Sequence, residues 1–402
     1  MSPTPRGERL IIALLGRRNA GKSSLINAII GQEIAIVSET PGTTTDPVDK
    51  HYELLPLGAV TFYDTAGVDD EGELGAKRVA ATRKILYRAD IVVFVNDGNA
   101  LDMHELDMLE RVREMDIPLL MVFNKADIKL ADAQNIEYCS LRNIPYINLS
   151  AKNKTGILEA KNEIIRLAPK HLSENRILLG DIIKPKAKVI LVCPIDSAAP
   201  KGRLILPQVQ AIRDILDSNA ISIVVKETEL KDALAMMEQA PDLVVTDSQA
   251  IEQVNRETPN NVELTTFSIL YARYKGELDI LLTGIRQIDK LRDNDKVLIA
   301  EACSHHVQED DIGRVKLPKW ISEYTKKKLT FETYAGHDFP ENLEEYALCV
   351  HCGGCMINVS EMNHRILECH RRGVPITNYG LTICKVHGSF ERAIKPLLRV
   401  KK

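Results

Sequence analysis

Three thiols fall within the seven residues Cys349-Val350-His351-Cys352-Gly353-Gly354-Cys355, and a fourth stands beside an imidazole at Cys303-Ser304-His305. Thiols at that density in a reducing compartment are ligands for a soft metal or a cluster. Near the other end, the apolar run Leu10 to Leu15 enters Gly16-Arg17-Arg18-Asn19-Ala20-Gly21-Lys22-Ser23, with Ser24 to Ile30 reading as a helix. A glycine loop between strand and helix wraps backbone N–H groups around phosphate, and the helix N-terminus adds its positive end. Lys22 is expected to reach the outer phosphates and the Ser23 hydroxyl to sit on Mg²⁺.

The nucleotide base is read further along. Val122-Phe123 delivers Asn124-Lys125-Ala126-Asp127. The Asp127 carboxylate can accept from the ring N–H and the amino group of guanine, whereas adenine would leave it buried and unpaired. Ser150-Ala151-Lys152 closes the base pocket. Phe62 to Gly67 is a strand ending in Asp64, which holds Mg²⁺ through water, with Gly67 near the γ-phosphate. In Pro41-Gly42-Thr43-Thr44-Thr45, Thr44 is the expected metal-binding hydroxyl. The catalytic set is therefore Lys22, Thr44, Asp64 and Gly67. GTP and GDP are held by Gly16, Asn19, Ala20, Gly21, Lys22, Ser23, Ser24, Asn124, Lys125, Asp127, Ser150, Ala151 and Lys152.

These motifs, in this order, resemble the bacterial branch of GTPases that includes the tRNA-modification and ribosome-assembly enzymes. Many GTPases carry a water-orienting glutamine where Val68 stands, so slow intrinsic hydrolysis is expected. The resemblance implies that Asn19 holds a K⁺ ion; read from the residue alone, Asn19 stabilises the loop turn.

The elements that must position these residues fit an α/β chain of three domains. Its 402 residues, 45% hydrophobic and 27% charged, predict a soluble multidomain protein. A net charge of −4 and few aromatics make nucleic acid an unlikely partner. Leu10 to Leu15 is too short for a signal peptide and no stretch reaches bilayer length, so a cytoplasmic location with reduced cysteines is expected. Residues 1–170 read as a P-loop GTPase domain and 171–264 as a linker with a small parallel α/β middle domain. Exposed edges of that middle sheet make it the expected surface of a homodimer. Residues 265–402 form a C-terminal α/β thiol domain with strands at Lys296 to Ala300, Leu329 to Tyr334, Tyr346 to Val350 and Pro375 to Tyr379. Thr265 to Asp293 reads as one or two helices. Asp196 and Lys201 are read as solvated turn residues, Cys193 as a small hydrophobe, and His306, His337 and His387 as surface or structural. Cys139, Cys369 and Cys384 have no matching partners.

Cys303 and Cys352 follow different strands of one parallel sheet at their C-terminal ends, so both face the crevice where such sheets bind ligands. Zinc would take a closed set such as Cys303, His305, Cys352 and Cys355. A bacterial ferredoxin run is excluded, because its fourth cysteine would fall at Val359. Spacing alone leaves iron–sulfur, zinc and unmetallated thiols open, and Cys349, inside the strand, is a weaker ligand candidate.

Cys303-Ser-His305 and His351-Cys352-Gly-Gly-Cys355 look like the CxH and HCxxC signature of the HydF family of [FeFe]-hydrogenase maturation GTPases, and the resemblance includes the N-terminal GTPase. It implies a [4Fe–4S] cluster on Cys303, Cys352 and Cys355 with a fourth iron site left to an exchangeable ligand; His305, His351 and Cys349 are lesser candidates. It also implies a carrier role, in which a transient diiron precursor bearing CO and cyanide passes to apo-[FeFe]-hydrogenase, with radical-SAM maturation enzymes as further partners. The rival reading is an RNA- or ribosome-associated GTPase with a C-terminal structural zinc domain.

Overall fold

Leu10–Leu15, Ile91–Asn96 and Leu119–Phe123 are buried along their whole lengths, as continuous apolar runs are when helices cover both faces of a parallel sheet. The computed structural model describes residues 6–31, 48–68, 81–82, 84–169, 176–195, 204–302 and 311–399. It separates into two units, residues 1–175 and 176–402.

In the first unit β1 (Leu10–Leu15), β2 (Val48–Leu54), β3 (Gly58–Asp64), β4 (Ile91–Asn96), β5 (Leu119–Phe123) and β6 (Tyr146–Asn148) form one six-stranded sheet in the order β2-β3-β1-β4-β5-β6. All pairings are parallel except β2 with β3. The period-2 alternation of β1 divides the core. Ile12 and Leu14 pack with Leu25, Ile26 and Ile29 of the helix Lys22–Ile30. Ala13 and Leu15 pack with Met108, Leu109 and Val112 of the helix Met103–Glu114 on the other face. That second helix starts at a capping box between Asp102 and Glu105, which satisfies two orphan N–H groups.

The second unit contains two four-stranded, all-parallel sheets. β7 (Lys188–Val192), β8 (Ile221–Val225), β9 (Leu243–Thr246) and β10 (Glu263–Thr266) run in the order β10-β9-β7-β8. β11 (Lys296–Ala300), β12 (Thr330–Tyr334), β13 (Leu348–His351) and β14 (Ile376–Asn378) run in the order β12-β11-β13-β14. Each sheet begins at a central strand, places its second strand on one side and its third on the other, so the order reverses beside the first strand. Such a reversal opens a crevice at the C-terminal strand ends.

β10 crosses residue 264, and its sequence Glu-Leu-Thr-Thr offers too little apolar pattern to be read as a strand. The segment after it resolves into the helices Phe267–Lys275 and Leu278–Gly284 and a 3₁₀ turn Ile285–Lys290. Asp196, Lys201 and the segment 170–175 lie outside the described residues. Among the described residues no helix is long and apolar enough to cross a membrane.

Candidate functional site

The loop after β1 is built around its backbone. Gly16 has φ 136°, and a Cβ there would lie 2.0 Å from the Val95 carbonyl oxygen, so only glycine fits. Lys22, 7% exposed, donates from Nζ to the carbonyls of Gly16 and Arg17 at 2.9 Å each, wrapping the loop onto an ammonium. The helix Lys22–Ile30 has Gly21 at its N-cap and no side-chain cap, which keeps its first N–H groups available to an anion. Asn19 adopts φ 59°, and Ala20 is buried. Ser23 donates its hydroxyl to the Asp64 carboxylate, so the two groups expected at Mg²⁺ touch, and Ser24 is exposed beside them.

Gly67 and Val68 are both buried, and the Val68 N–H donates to Gly16 O at 3.3 Å. The Val68 side chain belongs to the core with Ala13 and Leu15, so it offers nothing to orient a water. Thr44 lies outside the described residues, as do most of the segments 41–45 and 68–73. On the base side Asn124 is a staple: its Nδ2 donates to Ala20 O and its Oδ1 accepts from Ala151 N, both at 3.0 Å. One side chain thereby fixes the phosphate loop to the loop after β6. Lys125 takes φ 61°, while Asp127 and Lys152 are exposed at the rim. The buried Ser150 hydroxyl accepts from Asn153 N at 3.1 Å.

The thiol loop leaves β13 at the reversal point of its sheet. His351 stands opposite Ala300 in the β11–β13 register, and Cys352 N donates to Ala300 O at 2.8 Å. Cys352 Sγ accepts from Ala302 N at 3.0 Å and from Gly354 N at 3.4 Å. Ala302 immediately precedes Cys303, which lies outside the described residues together with His305 and His306. Cys352 and Cys355 are each partly exposed. Burial pushes the Cys352 thiol up to about 11, the neighbouring Cys355 adds to this, and the two N–H donors and Arg365 oppose it. Burial also raises Cys355, against the opposing charge of Lys275. Both thiols must therefore lose a proton when a metal binds.

Two cations tie the loop down. Lys275, 1% exposed, donates to Gly354 O at 3.1 Å and Ile357 O at 2.8 Å. Arg365, 2% exposed, is paired with Glu361 at 2.6 Å, and Glu361 in turn meets His337 Nδ1 at 3.0 Å. Arg365 Nη1 also lies 3.1 Å from His351 Nε2, and His351 Nδ1 lies 2.8 Å from Cys352 O. A carbonyl only accepts, so Nδ1 carries the imidazole proton and Nε2 accepts from Arg365. Burial, followed by the Arg365 charge, depresses His351 to about 3, and both ring nitrogens are engaged by protein. His337 is thus an exposed histidine, as expected, whose Nδ1 reaches the buried Glu361–Arg365 pair from the surface.

Cys349 is fully buried on the same face of β13 as His351, a free thiol hydrogen-bonded to the free thiol of Cys369 and raised by burial. It points to the helix Val359–Arg371 rather than to the glycine turn. Lys275, Arg365 and Glu361 escaped the sequence reading. The Glu361–Arg365 pair has helical i,i+4 spacing, whereas nothing local marks Lys275. Among the described residues no group of three or more His, Cys, Asp or Glu is arranged to hold a metal. Two partly exposed thiols, two N–H donors to sulfur and a turn with Gly354 at φ 67° nevertheless fit a thiolate-bound group.

The fold and phosphate loop define a GTPase domain of the P-loop class, and residues 11–125 match the family described as 50S ribosome-binding GTPase. Residues 178–276 match the hydrogen maturase F dimerization domain and 279–396 the hydrogen maturase F tetramerization domain. The chain belongs to the hydrogen maturase F family.

Curated relatives are similar over part of the chain. GTPase Der of Campylobacter hominis is 32% identical over 163 residues, 40% of this chain and 35% of the relative. The tRNA modification GTPase MnmE of Methylococcus capsulatus is 37% identical over 165 residues, 40% and 35%. GTPase Der of Natranaerobius thermophilus is 31% identical over 216 residues, 52% and 48%. The chain thus spans less than half the length of these relatives. The G domain of the T. maritima FeoB iron transporter aligns at 24% identity and TM-score 0.32, covering 40% of this chain and 99% of that one.

Proposed function

We propose that the protein is a GTP-hydrolysing iron–sulfur scaffold that accepts a diiron precursor ligated by CO and cyanide and delivers it to apo-[FeFe]-hydrogenase in the cytoplasm, working as a homodimer with radical-SAM maturation enzymes. The observation that carries this reading is the presence, on one chain, of both hydrogen maturase F domains and a thiol turn at the β11–β13 reversal.

In the GTPase domain, Lys22 would exchange the Gly16 and Arg17 carbonyls for phosphate oxygens. Ser23 would turn from Asp64 to Mg²⁺, with Thr44 as the second hydroxyl. Asp127 reads guanine, Lys125, Ser150 and Lys152 frame the base, and Asn124 holds the two loops in register. With Val68 buried, water positioning falls to backbone near Gly67, so hydrolysis is slow. A K⁺ ion at Asn19 would supply the positive charge for the transition state, and KCl should then accelerate hydrolysis over NaCl. Nucleotide state would order or release the segments 43–45 and 68–73 and so change partner contacts.

In the C-terminal part, Cys303, Cys352 and Cys355 would hold a [4Fe–4S] cluster. When bound, that cluster supplies one iron whose remaining ligand can be exchanged. Arg365 keeps His351 turned away and Lys275 fixes the Gly354–Ile357 turn, so the chain leaves that position to solvent or cargo. The carrier role is not itself catalytic.

Anaerobic purification with iron and sulfide reconstitution, followed by metal analysis and an absorption spectrum, tests the reading. About four irons per chain and thiolate-to-iron absorption are expected. The description of the matching GTPase family keeps one rival in view, a ribosome- or RNA-associated GTPase with a structural zinc site. A colourless protein with stoichiometric zinc and no iron after attempted reconstitution would overturn the iron–sulfur reading.

A further inference from the structure

Lys275 ends the helix Phe267–Lys275, inside the residues that match the dimerization domain, yet its ammonium is bonded within the thiol turn of the domain that follows. The two carbonyls it holds, Gly354 O and Ile357 O, bracket Cys355 in sequence. The same helix also supports the turn at its start. A Cβ on Gly353 would first meet Ser268 Oγ, at 3.7 Å, and that hydroxyl accepts from Gly380 N at 3.2 Å.

The other buried cation is arranged differently. Arg365 shares its charge with Glu361 in a pair whose side chains are both 2% exposed, and its bond to the site runs through His351. Lys275 instead binds the turn itself, with the Tyr271 ring 5.5 Å from its Nζ. A cation buried against the backbone on either side of Cys355 acts through a low-dielectric medium, where charge interactions are far stronger than in water. Thiolate-bound metal groups are anionic, and their potentials follow net charge, hydrogen bonds to sulfur and solvent exposure.

We propose that Lys275 is a positioning residue that fixes the Cys355 turn and places a buried positive charge beneath it, so that the site favours an anionic thiolate-bound metal group and holds it at a raised reduction potential. The proposal rests on the iron–sulfur reading above and adds that a residue from the dimerization-domain match tunes the bound group.

The test uses the full chain with Lys275→Gln, which keeps a donor without charge, and Lys275→Arg, which keeps charge. After anaerobic reconstitution, three quantities are read: the midpoint potential, the electron paramagnetic resonance of the reduced form, and iron loss to a chelator. Lys275→Gln is expected to shift the midpoint to more negative potential and to weaken iron retention roughly 10- to 100-fold, the range seen for outer partners of metal ligands. Lys275→Arg should stay close to wild type. Unchanged potential and retention in Lys275→Gln would overturn the proposal while leaving the iron–sulfur reading intact. A wild-type chain that takes up no iron would sink both. Should Lys275→Gln fail to fold, Lys275→Met replaces it. Unfolding of both neutral variants without metal would make Lys275 a structural tie and overturn the proposal.

Discussion

The Gly16–Gly21 loop and the Cys352–Cys355 turn each leave a central parallel strand, each lead towards a helix, and each hang their carbonyls on a buried lysine. Lys22 holds Gly16 and Arg17 from the helix that the loop itself begins, six and five residues away. Lys275 holds Gly354 and Ile357 from 79 and 82 residues away in sequence. The helix ends differ as well. Lys22–Ile30 has no side-chain cap, whereas Asn358 accepts from Glu361 N at 3.0 Å and closes the start of Val359–Arg371. An open helix start is an anion site made of backbone dipoles, complete within one stretch of chain. A closed one leaves binding to the side chains, so the thiol turn works through sulfur and depends on elements far away in sequence.

The largest effects should come from removing each loop's own ligand, and each should leave the other loop untouched. Lys22→Ala loses charge-assisted bonds to phosphate, about 3 kcal/mol or roughly 100-fold in GTP affinity by titration calorimetry, with iron content unchanged. Cys352→Ser should lose reconstituted iron and keep nucleotide affinity. Cross-effects in either variant would break the comparison.

Next come the glycines. Gly16→Ala forces a Cβ to within 2.0 Å of Val95 O at φ 136° and should cost about 3 kcal/mol or more in urea unfolding of the GTPase part. Gly353→Ala meets nothing closer than 3.7 Å and should stay within about 0.5 kcal/mol. A smaller effect, about 1 kcal/mol, is expected for Asn358→Ala, because it uncaps Val359–Arg371; a melting curve of the metal-free chain measures it. Smallest is Cys349→Ser, whose reconstituted spectrum should match wild type, since the thiol faces Cys369 and not the turn.

The same contrast explains what could be read in advance. The phosphate loop, the Asn124–Asp127 segment and the strands β1, β3, β5 and β6 announce themselves as contiguous patterns of apolar run and polar tip. In contrast β2, with the sequence Val-Asp-Lys-His-Tyr-Glu-Leu, has no apolar run to mark it, and β4 was not read. Cys352 and Cys355 could be separated from Cys349 only in part from sequence. Alternation along β13 puts Cys349 and His351 on one face, but that Arg365 and Cys369 occupy that face depends on how the next helix packs. Lys275 was invisible for a related reason. A lysine at a helix end is normally solvated, and only the approach of Gly354 and Ile357 buries it. β10 was missed because four residues with two threonines carry almost no period.

Transfer of cargo tests the central claim most directly. The reconstituted chain, loaded with a CO- and cyanide-ligated diiron complex and freed of excess by gel filtration, is mixed anaerobically with apo-[FeFe]-hydrogenase, and hydrogen evolution is followed. Activation by the loaded wild-type chain and none by Cys352→Ser is the predicted result. A loaded wild-type chain that leaves the hydrogenase inactive, or a Cys352→Ser chain that activates it equally well, would contradict the account.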